Sequence, residues 1–115
     1  MKKRFVYDGD LFLLGSKDER APKFRKQKKR YGFSDDETWS LDYTIACFVL
    51  PRLKRFKKVS KSFPAGSSPK EWNKKLSFMI YAMKQIKQDK VNNDNFKKVQ
   101  TGLQLFGENF LDLWW

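Results

Sequence analysis

The chain has 115 residues with one cysteine, Cys47, and no histidine, so neither an intrachain disulfide nor a Cys/His zinc site can form. Lysine and arginine number 25 against 13 acidic residues, a net charge of +12 that attracts polyanions and opposes compaction of the chain on itself. Hydrophobic residues make up 40 % of the sequence, enough for one small core, and no apolar run approaches the roughly 18 residues of a membrane span.

The opening MKKRFVYDGDLFLLGS has the basic start of a secretory signal. However, Asp8, Gly9 and Asp10 interrupt the apolar segment, which in a signal runs unbroken for roughly 7–15 residues, so it is read as part of the protein. Asp-Gly between the apolar runs 5–7 and 11–14 is a hairpin signal, because glycine tolerates the positive φ of such turns. A hairpin is marginal alone and would have to pack on the remainder.

Residues 1–30 hold 11 basic and 4 acidic side chains and are the more basic part of the chain by density. Their last stretch, KFRKQKKR at 23–30, carries six cations in eight positions. Like charges packed this densely resist compaction, so an extended or mobile arm is expected here.

Ser34-Asp35-Asp36-Glu37 is a capping box: the serine hydroxyl can accept from the Glu37 N–H while Glu37 reaches back to the Ser34 N–H. Ser40 and Asp42 offer a second cap for a helix from about Leu41, on which Leu41, Ile45, Phe48, Val49 and Leu53 recur at helical spacing. Pro51 interrupts that pattern and predicts a kink or a break, because its ring collides with the Cys47 carbonyl. Cations from Arg52 to Lys61 then crowd the end of the helix, where they suit its dipole. Cys47, in an apolar run and without a histidine to activate it, reads as a buried inert thiol.

Ser68-Pro69-Lys70-Glu71 is the strongest start signal: an N-cap serine, proline at the first helical position, and glutamate three residues from the cap. Trp72, Leu76, Met79, Ile80, Met83 and Ile86 follow as one apolar face to about Lys90. After the turn Asn92-Asn93-Asp94, residues Phe96, Val99, Leu103, Phe106, Phe110 and Leu113 step by threes and fours, a seam suited to an antiparallel neighbour. Gly102 and Gly107 weaken that helix by roughly 1 kcal/mol each unless they let another backbone approach. Trp72, Trp114 and Trp115 are candidates for the core or an interface; packing in the core is favoured, as aromatic side chains are usually buried, with the terminal pair alternatively exposed to stack on a ligand or partner.

The fold expected is mainly α: a compact three-helix domain over residues 31–115, preceded over 1–30 by a small hairpin or irregular basic segment. No nucleophile–base pair, phosphate-cradling loop or paired-carboxylate motif stands out, so the chain is read as a non-enzymatic binding protein without a cofactor. The carboxylates Asp35, Asp36, Glu37 and Asp42 could attract a divalent cation, but capping accounts for each of them. Anion contacts are assigned to Lys23, Arg25, Lys26, Lys28, Lys29 and Arg30 and to a second cluster, Arg52, Arg55 and Lys58, on one helix face. Phe24 and Tyr31 are candidates to stack on bases, and the two clusters together suggest a groove.

The segments YGFSDDETWSLDYTIACFVLPRLKRFKK, EWNKKLSFMIYAM and GLQLFGENFLDLWW, covering roughly residues 31–115, resemble a widespread group of short bacteriophage proteins. The resemblance implies a phage origin and work in the cytoplasm of an infected bacterium, where small phage proteins modulate host machinery or counter host defence. It carries no activity to transfer. The partners expected are nucleic acid, a nucleotide signal, or an acidic, nucleic-acid-binding surface of a host protein blocked by docking. No membrane is expected, and a homo-oligomer stays open.

Overall fold

The structure, a computed structural model, describes residues 18–115. The hairpin expected at residues 5–14 lies outside them. The described part is mainly α: α1 (Ala21–Tyr31), α2 (Leu41–Val59), α3 (Pro69–Lys87) and α4 (Phe96–Glu108), with short 3₁₀ segments at Asp35–Thr38 and Phe110–Asp112. The described residues fall into two compact units, divided within α2 between Phe48 and Val49.

The first unit contains the main departure from expectation. Residues 23–30 form most of α1 rather than an extended arm. Four features offset the like-charge repulsion. Pro22 stands in the first turn, where a missing N–H costs nothing. Gly32 closes the helix at φ 87°, its N–H donating to the Lys28 carbonyl at 2.9 Å. Ala21 and Phe24 are buried, and Phe24 meets the Trp39 ring edge-on at 6.0 Å. Charge repulsion at an exposed helix surface is screened by water and salt, whereas this burial is not.

The Ser34 capping box forms, and the turn it opens is 3₁₀. The Ser34 N–H donates to Glu37 Oε2 at 2.7 Å, as expected. The Glu37 N–H, however, donates to the Ser34 carbonyl at 3.0 Å, which closes a 3₁₀ turn instead of starting an α-helix. The serine hydroxyl donates its one proton to the Asp36 carboxylate as the nearer acceptor and shares it, at 3.0 Å, with Glu37 Oε2.

Helix α2 begins at Leu41, with the Thr44 N–H bonded to the Ser40 carbonyl at 3.0 Å. It passes through Pro51 without ending, so of the kink or break expected there the break does not occur. Ala46, Leu50 and Leu53 are buried along it, and this apolar stripe on both sides of the proline outweighs one lost ladder bond. Cys47 is half-buried, and its bond with the Tyr43 side chain holds that phenol above its usual pKa.

In the second unit the Ser68 cap matches the sequence signal: its hydroxyl accepts from the Glu71 N–H at 3.2 Å. Trp72, Leu76, Met79, Ala82 and Met83 are buried along α3. The turn to α4 is tied by Asn92 Oδ1, which accepts the Asp94 and Asn95 N–H groups at 2.9 and 3.0 Å. Helices α3 and α4 approach closely at Gly102, where an added Cβ would lie 2.7 Å from the Ala82 Cβ and 3.1 Å from the Phe78 carbonyl carbon. The absent side chain lets the backbones meet there, while Gly107 faces open space. Lys98 sits over the Tyr81 ring at 4.2 Å and links the same pair of helices.

The expected α4 seam is only partly covered. Val99 is buried and Leu103 and Phe106 half-buried, but Phe96 and Phe110 are about half exposed. At the end of the chain the expectation for the tryptophans is reversed: Trp72 is buried, yet Trp114 and Trp115 are 71 % and 69 % exposed. Beyond Glu108 the chain leaves the α-helix, so the heptad spacing no longer brings these side chains back to the α3 side.

Candidate anion-binding surfaces

Helix α1 arranges its cations at 100° steps. Lys23, Lys26 and Arg30 therefore fall on one strip with Gln27 between them. Together with Pro22, Glu19 and Tyr31 they line a shallow depression of about 540 Å³. Tyr31 is 61 % exposed, and the Arg30 guanidinium lies 5.5 Å from the centre of its ring. Gln27 is held in place from below: its Nε2 donates to Asp35 Oδ2 at 2.9 Å, and its Oε1 accepts the Asp35 N–H at 2.8 Å.

The remaining expected contacts of this segment divide in two. Arg25 and Lys29 are exposed but lie outside the depression. Lys28 and Phe24 point inward. Lys28 Nζ lies 3.6 Å from Glu37 Oε2, and its side chain is only 12 % exposed. Phe24 is 3 % exposed and closed off by Trp39, so it is a core residue and not a stacking platform. The helical period explains both: four residues apart, they share the buried side of α1. Pro22 before the charge run and Gly32 after it are helix start and stop signals, from which the helix, though not its buried side, could have been read.

The acidic group near this helix is engaged in folding. Asp35 is bonded to Gln27, while Asp36 and Glu37 are buried against the Ser34 hydroxyl. Among the described residues no group of three or more acidic or cysteine side chains is arranged to hold a metal ion.

The second expected cluster belongs to the second unit. Arg52, Arg55 and Lys58 follow one another at threefold spacing on α2, with Arg52 half-buried and the other two exposed. The structure also gathers a set that the sequence did not single out. Lys57, Lys58 and Lys61 line a cleft of about 310 Å³ with Phe63, Trp72 and Asn73. The cleft forms where the loop 60–68 turns the chain from the end of α2 to the start of α3. Lys58 was assigned an anion contact from the sequence, Lys57 and Lys61 were visible only as helix-end charges, and nothing local joined the three to a tryptophan on the next helix.

No described helix is long and apolar enough to cross a membrane. No protein-family model matches the chain, and neither a curated protein nor a solved structure is significantly similar to it.

Proposed function

We propose that this chain is a non-enzymatic binding protein whose α1 surface engages the phosphates of a nucleic acid. The observation that carries the reading is the strip of Lys23, Lys26 and Arg30 beside the exposed Tyr31. A helix rises 1.5 Å per residue, so the strip extends about 10 Å, enough to follow roughly three phosphates of one strand. Cations pinned to a helix face lose less freedom on binding than cations on a mobile arm, which favours affinity. The tyrosine beside them supplies a ring on which an unpaired base can stack.

From the resemblance to short phage proteins we infer that this binding takes place in the cytoplasm of an infected bacterium. There the chain would block or sequester a nucleic acid or nucleotide signal of a host or defence system. A second reading, inhibition by docking on a host protein that itself binds nucleic acid, draws on a separate observation. Phe110, Leu111, Trp114 and Trp115 are exposed together at the end of the chain, in a stretch with no cation after Lys98. Exposed aromatic groups of this size are the usual anchors of protein interfaces.

The test is the salt dependence of binding to single-stranded and duplex oligonucleotides. Replacing Lys23, Lys26 and Arg30 with glutamine is expected to weaken binding and to flatten the slope of log K against log salt by about 2–3. Unchanged affinity and slope would exclude the α1 strip. A one-to-one complex with a nuclease-treated host protein, lost on replacing Trp114 and Trp115, would favour docking instead.

A further inference from the structure

The cleft between the end of α2 and the start of α3 uses none of the α1 residues and lies wholly within the second unit. Three of its lining side chains are lysines, and no carboxylate lines it. Ser60 and Ser62 add hydroxyl groups to the same rim. The first turn of α3, at Pro69, forms part of the wall, so the positive end of a 19-residue helix adds to the field of the lysines. Beneath them Trp72 and Leu76, 3 % and 1 % exposed, give a rigid apolar floor.

Phe63 completes the cleft and is 45 % exposed. The exposed phenyl ring thus lies in the same cleft as three lysines. Together they suit a ligand that joins a phosphate to a flat apolar ring system. The volume of about 310 Å³ is at the small end of ligand pockets, which limits the occupant to about one nucleotide unit.

We propose that the Lys57, Lys58, Lys61 and Phe63 cleft binds one nucleotide, with its phosphate on the lysines and its base against the phenylalanine. This rests on the anion-recognition reading only in sharing phosphate as the target. It adds a second site, in another part of the chain, that reads a nucleotide and not merely a charge. The nucleotide can be free or one unit of a single strand, since both present the same group.

Titration calorimetry of the full chain at low salt, with adenosine monophosphate, adenosine, inorganic phosphate and a short oligodeoxyadenylate, tests the site. Saturable binding of adenosine monophosphate is expected. Replacing Lys57, Lys58 and Lys61 with glutamine should weaken it about tenfold or more, because hydrogen bonds to charged groups are lost. Phe63→Leu should weaken the nucleotide about tenfold and leave inorganic phosphate unchanged, because only the base is lost. The Lys23, Lys26 and Arg30 replacements should leave adenosine monophosphate binding intact.

Adenosine binding as tightly as its phosphate, or no mononucleotide binding at all, would overturn the proposal. So would binding untouched by all the cleft replacements. An oligonucleotide that binds through α1 alone while the mononucleotide fails would sink the cleft and keep the α1 reading. The opposite pattern would keep the cleft and remove α1. If adenosine monophosphate and the oligonucleotide compete for the cleft, a strand unit is supported as its occupant. Mononucleotide binding without such competition supports a free nucleotide.

Discussion

Lys28 Nζ lies 3.6 Å from Glu37 Oε2, and the two side chains keep only 12 % and 3 % of their surface. One residue of a six-cation segment is thus turned into the fold, where it joins α1 to the 3₁₀ turn that follows. The same Glu37 oxygen accepts the Ser34 N–H and hydroxyl, so the carboxylate serves two elements at once.

Glu37→Gln should therefore be more damaging than Lys28→Met. The first removes the counter-charge of a buried lysine and weakens the turn, with an expected loss of about 3 kcal/mol. The second leaves the carboxylate its two bonds from Ser34 and should cost about 1 kcal/mol. Urea unfolding followed by circular dichroism measures both. Equal losses would mean that the turn contributes little beyond the ion pair.

Phe24 and Tyr31 should separate stability from binding. Phe24→Ala empties a buried position and should destabilise the protein by about 3 kcal/mol. Tyr31→Ala removes an exposed ring and should leave the melting temperature nearly unchanged. Affinity for a single strand should nonetheless fall about fivefold as stacking is lost. A Tyr31→Ala protein that binds like the parent would remove stacking from the α1 reading.

The two glycines of α4 should respond with opposite signs. At Gly102 an added methyl meets Ala82 and the Phe78 backbone, so Gly102→Ala should lose about 1–3 kcal/mol despite its better helix propensity. At Gly107 nothing lies within 4 Å of the added carbon, and Gly107→Ala should gain about 0.5–1 kcal/mol. Thermal unfolding of the two variants side by side checks the pair. Stabilisation by Gly102→Ala would show that the helices can separate there freely.

Trp114→Ser and Trp115→Ser should be silent in unfolding experiments, within about 0.5 kcal/mol of the parent, because both rings are largely exposed. Their use, if any, is in contact with a partner. Loss of a host protein from pull-downs, with oligonucleotide binding unchanged, would assign the aromatic end to protein docking. A clear drop in melting temperature would instead place the two rings in the fold.

Features that depend on neighbours within a few residues were legible in the sequence. The start of α3 follows from Ser68, Pro69 and Glu71, and its buried face from the spacing of Trp72, Leu76, Met79 and Met83. The Asn92 turn follows from local donors and acceptors in the same way. Tertiary structure decided what becomes of charges and of exposed rings, because burial depends on what lies across space. The run at 23–30 is helical since Phe24 meets Trp39 and Lys28 meets Glu37, contacts 15 and 9 positions apart in the chain. Phe63 and Trp72 line one cleft with three lysines only because a loop reverses the chain between two helices. Trp114 and Trp115 stay exposed because the α-helix ends before them, and hydrophobicity alone cannot bury a side chain whose backbone no longer turns it toward the core.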